Sequence, residues 1–214
     1  MPNREKIAIG EYYHIYNRGV DKRSIIKDKK DADRFIQSLK FFNTKEPVLS
    51  LREIVSNKNT KLSNPLVQIV CYNLNPNHYH LLLKEIREGG ISEFMKRVGG
   101  GYTWYFNNKN KRSGSLFQGV FKSVRIKSNE QLLHTSVYVN LNWKVHKISG
   151  ETAVSSWDEY MGKTSRNICK KKIILKQFRS IKDYKDFAES SLKEILKARK
   201  DKNSLEMLIG KHFF

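Results

Sequence analysis

The order strand, helix, strand, strand, helix, strand and then a further helix predicts an α+β chain on a ferredoxin-like antiparallel sheet with helices on one face. Apolar runs rich in β-branched and aromatic residues recur at Ile7 to Tyr16, Leu66 to Leu74, His78 to Leu83 and Leu116 to Ile126. Helical spacing appears at Asp31 to Phe42, and a capped helical stripe follows the last of those runs. With 39% hydrophobic and 11% aromatic residues, the chain can fill a core and is not disordered.

Each element has a local reason. Ile7 to Tyr16 ends in the turn residues Asn17-Arg18-Gly19. The first helix puts Phe35, Ile36, Leu39 and Phe42 on one stripe. Val48 to Val55 reads as a second strand, and Ser56 to Pro65 as a polar loop. Asn75-Pro76-Asn77 is a turn between Leu66–Leu74 and His78–Leu83. Ser92 is placed to cap a helix through Phe94, Met95 and Val98, which Gly99-Gly100-Gly101 should interrupt at about 1 kcal/mol per glycine. Ser128-Asn129-Glu130-Gln131 has the form of a capping box, followed by the core stripe Leu133, Val137, Leu141, Val145.

The charge balance narrows the partners. There are 41 Lys+Arg against 21 Asp+Glu, a formal +20. Such an excess repels itself and calls for a polyanion, nucleic acid first and an anionic membrane surface second. No run approaches the ~20 apolar residues of a membrane span, and Met1 to Lys6 carries no apolar signal region, so a cytoplasmic protein is expected. Cys71 and Cys169 have no metal-ligand spacing, and no phosphate-binding Gly-x-x-x-x-Gly-Lys-Ser/Thr loop occurs. The composition changes after Gly150, which suggests a domain over 1–149 and a basic, helical extension over 150–214. From Lys163 onward 15 Lys+Arg face 6 Asp+Glu, and Lys182 to Lys200 is its better helix.

The chemistry centres on His78-Tyr79-His80. Strand alternation turns both imidazoles to one face and Tyr79 to the other. Beside the core stripe of the capped helix runs a second line, His134, Tyr138, Asn142 and His146, at four-residue spacing. If that helix packs over His78 and His80, two imidazoles, a carboxamide and a phenol meet. Two His and a carboxamide oxygen can hold a divalent metal, Mg2+ or Mn2+. A phenol beside it can attack phosphorus and become covalently linked. The competing reading of Tyr138 is a buried structural phenol, and that of the two histidines is the rim of a half-buried strand. Arg18, Arg97, Lys122 and Arg125 are candidate phosphate contacts, against solvated surface charge. The Tyr102 to Phe106 aromatics either stack bases or belong to a core.

His78-Tyr79-His80 resembles the His-hydrophobic-His signature of the HUH nucleases. Its setting, Asn75-Pro76-Asn77-His78-Tyr79-His80-Leu81-Leu82, resembles the single-tyrosine transposases, in particular the REP-associated tyrosine transposases. The resemblance extends from Tyr12 to Gly162. It takes in His14, Asn17-Arg18-Gly19, Phe94-Met95-Lys96-Arg97, Gly114 to Ser123, Tyr138-Val139-Asn140-Leu141-Asn142 and Ser155-Ser156-Trp157. It implies Tyr138 as nucleophile, with His78, His80 and Asn142 as metal ligands. It also implies cleavage of single-stranded DNA beside a hairpin through a 5′-phosphotyrosine bond, by a monomer or homodimer. Two departures are Tyr79, where the family has an aliphatic residue, and Trp143, where proline usually follows the asparagine; the latter suggests a helix longer by a turn. A catalytically silent hairpin-binding descendant and a replication initiator or relaxase-type nickase are the alternatives. An RNA-binding module of the same fold is a further one, lacking a clear aromatic pair on the sheet.

Overall fold

The computed structural model describes residues 6–47, 63–149, 153–199 and 208–209. In order these form β1 (Tyr12–Arg18), a 3-10 turn (Val20–Lys22), α1 (Lys29–Phe41), β2 (Val67–Leu74), β3 (His78–Glu85), α2 (Gly90–Lys109) and β4 (Lys122–Arg125). Then come α3 (Asn129–Asn140), α4 (Asn142–Val145), β5 (Val154–Ser155), α5 (Trp157–Tyr160), α6 (Lys172–Leu175) and α7 (Ile181–Ala198). The strands pair antiparallel in the order β4-β1-β3-β2-β5. This is the ferredoxin-like α+β sheet the sequence predicts, with one short strand added at the β2 edge.

The register assigns the two faces. Tyr13, Ile15, Ile69, Tyr79, Leu81 and Leu83 pack with Phe35, Leu39, Phe94 and Tyr102 of α1 and α2. The opposite face carries Cys71 and Leu82, which pack with Val137 and Tyr138 of α3 and with Tyr184 and Ile195 of α7. The sheet therefore lies between two helical layers and not, as expected, with helices on one face, because α3 and α7 bury their apolar sides on its second face; the basic tail thus shares a core with the preceding residues.

Three boundaries differ from expectation. β1 starts at Tyr12 because Gly10, at φ +87°, makes a turn that L side chains avoid. β4 is short because Gly119, at φ +68°, turns the chain just before it, while Leu116 and Phe117 drop into the α1/α2 core. α2 is capped by Gly89, not Ser92, with the Glu85 carboxylate accepting from Ile91 N at 2.7 Å. The expected strand over Val48 to Val55 and most of the expected loop over Ser56 to Pro65 lie outside the described residues.

The three glycines do not interrupt α2. Gly101 lies against the Phe42 ring, where a Cβ would stand 2.5 Å from Phe42 Cε2; Gly99 and Gly100 face open space. Close helix packing needs only Gly101. Gly101→Val should thus destabilise by ~1–3 kcal/mol by displacing the Phe42 ring. Gly99→Ala and Gly100→Ala should each stabilise by ~0.5–1 kcal/mol. Urea unfolding of the three variants checks this, and a stabilised Gly101→Val would contradict it.

The capping box forms as read. Ser128 Oγ accepts from Gln131 N at 3.0 Å, and Gln131 Oε1 accepts from Lys127 N at 2.6 Å, one residue before the cap. The helix then breaks at Leu141 (φ −111°, ψ 18°) instead of running on through Trp143, and α4 resumes the path. Val137, Leu141 and Val145 stay buried across the break. Ser156 ties the 155–160 segment to the sheet: its Oγ accepts from Tyr72 N at 2.9 Å and donates to Asn140 Oδ1 at 2.6 Å.

Candidate active site

β1 and β3 pair so that His14, Tyr16 and Arg18 stand across from Leu82, His80 and His78 on the face that α3 covers. The period of two predicted for His78 and His80 holds, and Tyr79 points the other way, against Phe35 and Phe117. The His78 and His80 rings are 5.1 Å apart. Tyr138 meets His80 at 5.4 Å between ring centroids and His14 at 5.8 Å, both edge-on. Asn142 places Oδ1 3.3 Å from His78 Nε2. The structure thus brings together the four residues singled out by spacing. Tyr138 is only 2% exposed, so a substrate reaches its phenol after neighbouring side chains move.

The supporting shell was less legible. His78 Nδ1 donates to Asn77 Oδ1 at 2.6 Å, which leaves the Nε2 lone pair for the site. His80 Nδ1 bonds His14 Nε2 at 2.9 Å, so His14 orients the second imidazole. Asn75 Nδ2 donates to both His78 Nε2 (2.7 Å) and Asn142 Oδ1 (2.6 Å). Two acceptor lone pairs therefore converge on one donor, as they would on a cation. His146 joins them, with its ring 4.9 Å from His78. Ligand atoms of His78, His80 and His146 lie within 4.8 Å of one another, a group that could hold a metal ion. His134, on the same predicted line, instead bonds Ser191 Oγ of α7 at 2.7 Å and packs on Phe187.

Burial sets the protonation states. It holds His14 down to about 3, and it holds His78 down to about 4 with help from the charge field of His146. His80 falls well below the ordinary imidazole value for the same reason, with its neighbouring histidines adding to the effect. All three are neutral near pH 7, the form that binds metal. The Tyr138 phenol is pushed up by burial, with Asn142 and Arg199 opposing; Tyr16 is pushed up to about 12.

Register also sorts the four candidate phosphate contacts. Arg18 pairs with His78 and Lys122 with Tyr16, on the face of the site. Arg125 is one residue out of phase, on the other face, and pairs with Glu11 at 3.1 Å. Arg97 is held by Glu93 at 2.8 Å and by the carbonyls of Thr44 and Glu46, beyond the α1/α2 layer. The Tyr102 and Phe106 rings are core, whereas Trp104 is 67% exposed.

Asn73, which pairs with His80, was not visible as a site residue. Among the described residues neither of its buried side-chain polar atoms has a hydrogen-bond partner. An unsatisfied buried carboxamide costs about 1–3 kcal/mol, so Asn73→Leu should raise the melting temperature of the metal-free protein. A lower melting temperature would show that the carboxamide has a partner.

The sequence profile of the "Transposase IS200 like" family matches residues 10–142, which span β1 through Asn142. The chain belongs to the IS200-like transposase family. A solved REP-associated tyrosine transposase bound to a REP hairpin is also similar to this chain, at 13% identity and a TM-score of 0.47, over 78% of this chain and 90% of that one. No curated protein matches. Among the described residues of this chain, no helix is long and apolar enough to cross a membrane.

Proposed function

We propose that this chain is a metal-dependent single-stranded DNA endonuclease and strand transferase that cuts beside a hairpin. The observation that carries the reading is the meeting of Tyr138 with His78, His80 and Asn142 on one buried sheet face, in a chain of this family. The donor set fits a divalent ion such as Mg2+ or Mn2+: two neutral imidazoles and a carboxamide oxygen, with their lone pairs converging. His78, His80 and Asn142 would hold it. Once bound, such an ion polarises a phosphate and offsets the charge that develops on it.

The chain's own residues do the rest. Tyr138 Oη forms a bond to phosphorus as the bond from phosphorus to the 3′ oxygen breaks. The phenol loses its proton, the 3′ oxygen gains one, and the 5′ phosphate stays on tyrosine. The phosphotyrosine ester conserves the energy of the diester, so a 3′ hydroxyl can reverse the step and join new ends. Arg18 and Lys122, on the same sheet face, position the DNA backbone. His14, Asn75 and Asn77 orient the imidazoles and the carboxamide.

The test incubates the protein with end-labelled single-stranded hairpin oligonucleotides and Mn2+ on a denaturing gel. A covalent adduct that EDTA abolishes is expected. Tight binding without any adduct, across hairpins from the host's own flanking DNA, would favour the silent descendant.

A further inference from the structure

We propose that Arg199, just beyond α7, fixes the tautomer of His146 and makes it a hydrogen-bond donor to the substrate phosphate, not a third metal ligand. The contrast with His78 carries the argument. Behind His78 stands an acceptor, Asn77 Oδ1, so the proton sits on Nδ1 and the lone pair on Nε2. Behind His146 stands a donor, with Arg199 Nη2 3.5 Å from Nδ1. A guanidinium is always charged and can only donate. It therefore demands a lone pair on Nδ1, and a neutral imidazole must then carry its proton on Nε2. The guanidinium is itself anchored, because Nη1 donates to the Val145 carbonyl.

His146 Nε2 is buried and has no hydrogen-bond partner among the described residues. A buried N–H needs an acceptor. The ring stands 4.9 Å from His78, so a phosphate bound at the site is the acceptor its N–H can reach. An N–H there cannot ligate a metal, which leaves Asn142 as the third ligand. Arg199 lies outside the family-matched residues 10–142, so the basic tail supplies a positioning residue to the site.

The inference rests on the metal-site reading only for what His146 would otherwise do. Its first test therefore needs no metal: long-range 1H–15N imidazole spectra of the full chain near neutral pH. His146 should be protonated on Nε2 and His78 on Nδ1. Arg199→Ala should mix the His146 tautomers while Arg199→Lys keeps them. Protonation of His146 on Nδ1, or a spectrum that Arg199→Ala leaves unchanged, overturns the proposal. The second test titrates Mn2+ without DNA: His146→Ala should bind within about two-fold of wild type, whereas His78→Ala should weaken binding by about 10-fold or more. Equal losses in the two variants overturn it. If His78→Ala also leaves binding unchanged, the metal-site reading fails, and the metal-free spectra still decide the tautomer.

Discussion

Tyr138→Phe should abolish the covalent protein–DNA adduct and lower strand cleavage by at least about 10³-fold, because no other group replaces a lost nucleophile. The fold should survive. The ring is the larger part of what Tyr138 buries, and its edge-on contacts with His14 and His80 are contacts of the ring and not of the hydroxyl. Binding of the hairpin should survive as well, since Arg18 and Lys122 lie on β1 and β4. Circular dichroism, a binding isotherm and the gel together separate a missing nucleophile from a damaged protein. Tyr16 is the informative control, because its ring also lies 5.9 Å from His80. Tyr16→Phe should leave the adduct in place.

Acid should unfold the metal-free protein at an unusually high pH. His14, His78 and His80 are buried neutral, at about 3, at about 4 and well below the ordinary value. In the unfolded chain imidazoles titrate near ~6.5. Between these limits the unfolded chain binds more protons than the folded one. The stability is therefore complete above about pH 6.5 and is lost as the pH falls towards 4. An imidazole kept neutral two units below its unfolded value costs about 3 kcal/mol. His14 and His78 together consume a sizeable share of the ~5–15 kcal/mol of a typical domain, and His80 adds in the same direction. The unfolding midpoint should fall between about pH 4 and 5, and His14→Gln should flatten the pH dependence of stability by about one proton. A protein still folded at about pH 3, or an unchanged slope in His14→Gln, would contradict this origin of the acid sensitivity.

What the sequence made legible follows from how far apart the cooperating residues are. His78 and His80 share a face through alternation alone, and Tyr138 and Asn142 share one through helical spacing. The capping box was readable to the residue, apart from Gln131 reaching to Lys127. His14 was a different case, since its bond to His80 spans 66 positions and depends on the β1–β3 register. Gly99 to Gly101 looked like a helix breaker because propensity is local, whereas the reason for Gly101 is the Phe42 ring on another helix. Asn75 was read as a turn residue, and its double contact appears only once α4 has carried Asn142 over the strand. His146 stands on the helical line of Tyr138 and Asn142 in the sequence, whereas its neighbour Arg199 meets it only across 53 positions.

The most direct measurement of the central claim is mass-spectrometric mapping of the nucleotide-bearing peptide after reaction with hairpin DNA and Mn2+. The account predicts a single modified residue, Tyr138, bearing a 5′ phosphate, with a free 3′ hydroxyl on the released strand. Modification at Tyr16 or Tyr79, or cleavage with no modified tyrosine, would contradict it.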